Sequence, residues 1–571
     1  MDFVREGGRS VRVCQFDPAA GDPIGNAKRM AEIVRQSRAE GVGLVVFPMD
    51  AIDAGCADEG HLHEDFKAAD RIVIESSEGI GVVFAPAAKF SLMLAEDGAE
   101  VPTTSLVCGC ECAESRHLGR KVALIGALAD DELGDIRDEL RGRGTADVFA
   151  VVGSEHFERG QAKVMADALR RLSEDCAATV CYANRIGVSD EGKSVWTYRG
   201  DSAIYERGKC VAIARRFEED ALTWVPGGAA EGIKAGFGDE GAGDVAEVLR
   251  FGLRRFMDKV GVRRVVIGVS GGIDSAVSTA LYGSILPPED ILLVSMPGPF
   301  TSGTTKSLAH SLAHNLGARF AEIPIGESVD LTKRQFAELI TEGPNGAMAG
   351  AWSLSPSVIE NVQARDRGSR ILAAAAAVFG GVFSCNANKD ECTIGYGTMY
   401  GDISGWLCCL GDLWKGDVYA VGRYLNDEVF HREVIPEGIF KVKPSAELSE
   451  KQAVEKGLGD PLVYPYHDKL FKAWVEEGKT PYECLMAYAS GSLAKDIGYD
   501  GDLGELFPKP ADFVADIEKW WQAYRGLAVA KRMQAAPIMA VTSFPFSYEI
   551  ASQGRVNFGE AYRALREKLL A

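Results

Sequence analysis

Residues 264–275, Arg-Val-Val-Ile-Gly-Val-Ser-Gly-Gly-Ile-Asp-Ser, constrain the fold of this 571-residue chain more than any other stretch. Val265–Val269 is a short, apolar, β-branched run of the kind buried on both faces of a parallel sheet. Ser270, Gly271 and Gly272 interrupt it. Apolar residues then recur at helical spacing from Ile273 to Tyr282, with Asp274 and Ser275 in the first turn. A strand, a turn of small residues and a helix N-terminus bring free backbone N–H groups and the positive end of the helix dipole to one point, so the unit predicts an anion site. Gly271 and Gly272 let the backbone close around a phosphate that a Cβ would obstruct. Ser270 and Ser275 add hydroxyls, and Asp274 adds a carboxylate suited to Mg²⁺. No Gly-Lys-Ser/Thr follows, so this is not a Walker loop.

A chain of this length exceeds one hydrophobic core, and roughly two to four domains are expected. Hydrophobic residues make up 46% and charged residues 25%, which is the balance of a folded protein. The formal charge of −20 argues against a nucleic-acid or anionic-membrane partner, so local Lys and Arg must hold any anionic substrate. Thirteen cysteines without a regular framework, and an N-terminus unlike a signal peptide, predict a cytoplasmic protein. The most apolar run, residues 371–385, is too short to span a membrane and is broken by Gly380-Gly381.

Residues 225–243 hold seven glycines and several acids, and predict a linker between a domain at 1–224 and one at 244–571. In the second part, strands and helices alternate at the spacing of βαβ units, predicting an α/β fold with a doubly wound parallel sheet. Ligands of such sheets bind outside the carboxyl ends of the strands. Chemistry-bearing residues follow the strands: Met296-Pro297-Gly298-Pro299, Asn361 with Arg365 and Arg367, Asn386-Ala387-Asn388-Lys389-Asp390-Glu391, and Tyr396 to Asp402. Later come Asp412-Leu413-Trp414-Lys415-Gly416, Lys443-Pro444-Ser445-Ala446-Glu447-Leu448 and Lys531-Arg532.

The Ser-Gly-Gly-x-Asp-Ser loop resembles that of the PP-loop ATP pyrophosphatases. The whole ordered set, over about residues 245–550, resembles the NAD⁺ synthetase family. That resemblance implies adenylation of the nicotinate carboxylate of deamido-NAD⁺ by ATP with Mg²⁺, then displacement of AMP by ammonia. Carried over residue by residue, it implies ATP contacts from Ser270, Gly271, Gly272, Asp274, Ser275, Met296, Asn386 and Lys415. It implies deamido-NAD⁺ contacts from Asn361, Arg365, Arg367, Lys389, Glu391, Asp402 and Lys531. Asp274 and Glu391 are the expected Mg²⁺ ligands, and Asp274, Lys389, Asp402 and Lys415 the expected catalytic groups. Lys-Gly at 415–416 and Asn386-Ala387 depart from the family's usual Lys-Thr and Thr-Gly. Residues 443–448 resemble a lid over ATP.

In the first part, residues 21–30, 43–48, 182–187 and 192–212 resemble the nitrilase (carbon–nitrogen hydrolase) superfamily, which implies an α/β sandwich over about residues 10–215. That superfamily hydrolyses amides with a Glu–Lys–Cys triad. Here Met49 stands at the glutamate position and Gly126-Ala127 at the cysteine position, and residues 101–106 supply no lysine. A thioether abstracts no proton, and neither Gly nor Ala forms a thioester. The expectation is an inactive amidase-like domain, with ammonia reaching the synthetase from elsewhere and a homo-oligomer, a dimer or larger, as the assembly. Three other readings stay open: a displaced glutaminase nucleophile such as the Cys108/Cys110/Cys112 cluster, an amidotransferase acting on another carboxylate, and a non-catalytic scaffold.

Overall fold

The computed structural model describes residues 10–55, 63–87, 92–107, 109–127, 130–141, 146–226, 230–231, 241–344, 346–349, 354–546 and 558–571. The chain divides into two compact units. One comprises residues 1–189 and 196–241, and the other residues 190–195 and 242–571.

In the first unit, nearly continuous apolar strands such as Val42–Val46 and Val148–Gly153, buried on both faces, build two seven-stranded sheets. Val11, Val13, Leu44, Val46 and Val83 of one sheet and Val122, Leu124, Val148, Ala150 and Val152 of the other fill one common core. The opposite face of the first sheet is covered by Pro23–Ala39 and His63–Ser76, through Met30, Val34, Ala69 and Val73. The opposite face of the second is covered by Asp130–Leu140 and Gln161–Asp175, through Leu133, Met165, Leu169 and Leu172. The result is a four-layer α-β-β-α sandwich. Residues 72–74, strand-like by composition, lie inside the helix His63–Ser76, because Phe66, Ala69 and Val73 recur at helical spacing. Most of the expected linker at 225–243 lies outside the described residues. Of the rest, Ala230–Glu231 adds an edge strand to the first sheet by pairing with Thr223 and Trp224.

The second unit is built on a parallel sheet in the order Arg319–Glu322, Ile291–Ser295, Val265–Gly268, Val382–Phe383. The Val265 strand is central and flanked on both sides, which is why it carries no polar alternation. Ala242–Val260, Ile273–Gly283, Gly303–Leu316 and Lys415–Tyr424 are among its helices. The expected helix after the third strand runs as Pro356–Arg365, widens to a π-helical stretch at Asp366–Leu372, and closes as Ala373–Phe379. A separate helical core, with Tyr466, Phe471, Trp474, Phe513 and Ile517, packs beyond it. Among the described residues no helix is long and apolar enough to cross a membrane.

Candidate functional site

At the carboxyl ends of the central strands the second unit holds a cavity of about 410 Å³, within the range that takes a nucleotide-sized ligand. Its floor is the turn after Val265–Gly268. Gly271 has φ +83°, and a Cβ there would collide with the backbone of Thr305, so only glycine lets the loop close against the helix Gly303–Leu316. The amide of Gly272 donates to Ser270 Oγ (3.2 Å) and the amide of Ser270 to Ser275 Oγ (3.3 Å), while Ser275 Oγ donates to Gly272 O (3.1 Å). Ser270, Gly272, Asp274 and Ser275 line the cavity. Gly271 does not line it. The side of Gly271 where a Cβ would stand faces Thr305, and the residue shapes the turn.

Above this floor lies a cluster of charge. Lys415, almost wholly buried, donates to Asp274 Oδ2 at 2.5 Å, and Asn388 Nδ2 donates to Asp274 Oδ1 at 3.1 Å. Burial works against the charge on Lys415, but Asp274 and Glu391 more than offset it, so the ammonium is held above its usual range. Glu391 is fixed by a capping box. Its amide donates to Asn388 Oδ1 (3.0 Å) and its carboxyl accepts from the Asn388 amide (3.2 Å). Burial, then the charge of Asp274, pushes Glu391 well above the carboxylate range. Asp460 completes the cluster, accepting from Tyr396 Oη (3.1 Å) and Tyr464 Oη (3.0 Å), and burial raises its pKa as well. Asp460 had no motif of its own in the sequence; it closes the segment that begins at Lys443.

Among the described residues no three His, Cys, Asp or Glu form a metal cage. Asp274 and Glu391 nevertheless both line the cavity, and Glu391 senses the charge of Asp274. Two hard carboxylates beside a phosphate-binding turn fit Mg²⁺, which takes one or two carboxylates and completes its shell from substrate phosphates and water.

Across the cavity stand Asn361, Arg367, Asp402 and Lys531, with Met296 and Asn386 on the wall between. Asp402 accepts from the Thr398 amide at 2.6 Å, and Thr398 Oγ1 donates to Asn361 Oδ1 at 2.9 Å. Burial raises the Asp402 carboxyl and lowers Arg367 and Lys531, so the three hold charge at some cost. Arg367 Nε donates to Met296 O (3.0 Å) and Lys531 Nζ to Gly395 O (2.7 Å). Tyr396 lines the cavity, whereas Tyr400 is exposed and Trp406 is used internally, donating to Tyr282 Oη and stacking on Phe256.

Two expected site residues lie elsewhere. Lys389 points into the core, where its ammonium meets Asp412 (2.7 Å), Glu476 (2.8 Å) and Thr542 Oγ1 (2.7 Å) with no exposed surface. Two residues along the same short helix, Glu391 faces the cavity, because neighbours two apart on a helix point about 200° away from each other. Arg365 is exposed and donates to Met399 O (3.1 Å), while Arg367 lines the cavity.

Residues 443–460 lie along the cavity's rim. Glu447, at φ +47°, accepts from the Ser302 amide (3.2 Å) and Thr305 Oγ1 (2.8 Å), and Glu455 accepts from the Gly303 amide (3.2 Å). Gln363 Nε2 donates to Leu448 O (3.0 Å), and Gln452 Nε2 to Tyr396 Oη (2.7 Å). The segment is thus tied to the walls by its own carboxylates and amides.

In the first unit, the amide of Met49 donates to Gly153 O (3.0 Å), and Met49 Cε stands 3.5 Å from where a Cβ on Gly126 would be. Met49, at the position where the resemblance expects glutamate, and Gly126, where it expects cysteine, therefore lie against each other. Cys108 lies outside the described residues. Cys110 and Cys112 are buried, and burial pushes Cys110 up to about 12, the opposite of an activated thiol.

Fold and site define a four-layer α/β sandwich in one chain with an α/β domain whose parallel sheet carries a phosphate-binding turn. Residues 245–495 match the family model described as NAD synthase, and this segment is an NAD synthase domain. A curated glutamine-dependent NAD(+) synthetase of Thermotoga maritima is 35% identical over 233 residues, 41% of this chain and 38% of that one. One of Xylella fastidiosa is 26% identical over 522 residues, 84% of this chain and 91% of that one. The chain spans about half the length of the curated relatives it matches at 30% identity or more. The solved glutamine-dependent NAD(+) synthetase of Cytophaga hutchinsonii superposes with TM-score 0.73 and 15% identity, over 98% of this chain and 100% of that one. At that identity it shows the fold of both units.

Proposed function

We propose that the chain makes NAD⁺ by adenylating the carboxylate of deamido-NAD⁺ with ATP and then replacing AMP by ammonia. The observation that carries this reading is one cavity lined on one side by the Ser270–Ser275 turn and Lys415, and on the other by Asn361, Arg367, Asp402 and Lys531. An ATP and a second anionic substrate can meet only if both halves open into the same space. In this reading phosphate oxygens displace the turn's internal bonds and take over the donors now engaged in them, the Ser270 and Gly272 amides and the Ser275 hydroxyl. Lys415 is poised by Asp274 to meet negative charge as it develops on the α-phosphate. Asp274 and Glu391 would hold Mg²⁺, whose contribution when bound is to neutralise charge on the phosphates. Asp402, buried and hydrogen-bonded by the Thr398 amide, is placed to accept a proton from attacking ammonium. Arg367 and Lys531 attract and orient the dinucleotide's anionic groups.

Met49 facing Gly126 supports ammonia that comes from outside this chain's amidase-like unit. The relatives of Thermotoga maritima and Xylella fastidiosa, both glutamine-dependent by name, favour a second reading in which glutamine serves through a different nucleophile. AMP and NAD⁺ formation from ATP, Mg²⁺ and deamido-NAD⁺ decides between them. Turnover with ammonium and at least hundredfold less with glutamine is expected. Equal rates from the two would overturn the ammonia reading, and no AMP with deamido-NAD⁺ would overturn the function itself.

A further inference from the structure

Five cationic side chains line the cavity: Lys306, Arg367, Lys415, Lys443 and Lys531. Four of them are committed. Lys415 pairs with Asp274, while Arg367, Lys443 and Lys531 donate to the carbonyls of Met296, Gly457 and Gly395. Lys306, half-buried in the first turn of Gly303–Leu316, makes no hydrogen bond or ion pair through its ammonium with any described residue. An ammonium that a fold brings to a cavity wall and leaves unpaired is available to an anion.

Its neighbours specify which anion. Thr305, the preceding residue, abuts Gly271, so Lys306 sits beside the phosphate-binding turn and its place relative to that turn is fixed by the glycine. Three of the amides at this helix start are already engaged, two by carboxylates and that of Thr305 by Ser302 Oγ (3.1 Å). Glu447 holds the Ser302 amide and the Thr305 hydroxyl, and Glu455 holds the Gly303 amide. The Lys306 head group thus adds an uncommitted cationic donor beside the phosphate-binding turn. Lys415 is already set against Asp274 at the reacting end.

We infer that Lys306 binds the β- and γ-phosphates of ATP and, after adenylation, the departing pyrophosphate. This rests on the reading of the cavity as an ATP site. It assigns Lys306 a ligand-contact role that nothing in the loop's motif requires.

The test uses the full-length chain with Mg²⁺ and measures binding of ATP, AMP and inorganic pyrophosphate by calorimetry, with pyrophosphate inhibition of AMP formation alongside. Lys306→Met should weaken ATP and pyrophosphate about ten- to hundredfold, as loss of a charged hydrogen bond does, and leave AMP within twofold. Lys306→Arg should restore most of the loss. Because the ammonium has no partner among the described residues, the methionine variant strands no charge there and should melt at the wild-type temperature. Unchanged pyrophosphate and ATP binding in Lys306→Met would overturn the inference, as would an equal weakening of AMP. If the wild type binds ATP and pyrophosphate but does not turn over deamido-NAD⁺, the proposed function fails and this inference stands. If it binds neither, both fail.

Discussion

Lys389→Met separates a structural lysine from a catalytic one. In the folded chain Lys389 closes a buried ion cluster with Asp412 and Glu476, both held besides by other groups. Asp412 accepts from the amides of Val541 and Thr542 (2.7 Å each) and from Thr542 Oγ1 (2.8 Å). Glu476 accepts from Trp414 Nε1 (2.8 Å) and faces Lys472 at 3.7 Å. Removing one partner of a buried pair costs about 3–5 kcal/mol, and the surviving donors place this case at about 3. The second unit has about 330 residues, so at about 2.1 cal/mol/K per residue a loss of 3 kcal/mol lowers its melting temperature by about 4 °C. Differential scanning calorimetry reads that shift, and AMP formation against ATP concentration reads the site. The expected result is a fall of about 4 °C with the KM for ATP changed less than twofold. A variant that melts with the wild type but loses a hundredfold in kcat would mean that Lys389 reaches the substrate, and would refute the reasoning.

Gly271→Ala should raise the KM for ATP at least tenfold. The new Cβ meets the Thr305 backbone, and the residue must also hold a left-handed φ that costs L-residues about 1–2 kcal/mol; a KM within twofold of wild type would show that the turn does not hold the phosphates. Asp468 and Asp390 accept from the amides of Gly416 and Lys415, at 2.8 Å each, at the start of the lysine's helix. Burial pushes Asp468 up to about 6, so the folded state holds more proton than the unfolded one between about pH 4 and 6, and stability falls as pH rises through that window. Asp468→Asn should remove that part of the slope in urea titrations at pH 4 and 6; an unchanged slope would place the proton elsewhere.

The phosphate-binding turn was legible because every residue it needs is contiguous: a β-branched run, two glycines, and an acid and a serine in the next helical turn. The sandwich of the first unit was legible from the alternation of strand-like and helix-like stretches and the order of its short motifs. That Met49 and Gly126 lie against each other is a property of two segments far apart in sequence.

Side-chain direction in short helices was not legible. Lys389 and Glu391 belong to one six-residue helix, and Arg365 and Arg367 flank the start of a π-helical stretch. Which member of each pair meets the cavity is fixed by what packs behind it. Asp412 and Glu476 draw Lys389 inward, and the widened turn carries Arg367 to the cavity while Arg365 remains at the surface. Asp460 and Lys306 gave no local signal either, and Glu447 stood out only as part of the lid-like motif. Each acquires its role from partners brought by other segments: Tyr396 and Tyr464 for Asp460, Ser302 and Thr305 for Glu447, and for Lys306 the Gly271 turn against which its helix begins. Sequence alone determined what is built from neighbours along the chain, because backbone propensity and periodicity act over a few residues. The tertiary structure decided which charged groups face the ligand and which are neutralised inside, because that depends on desolvation and on partners far away in sequence.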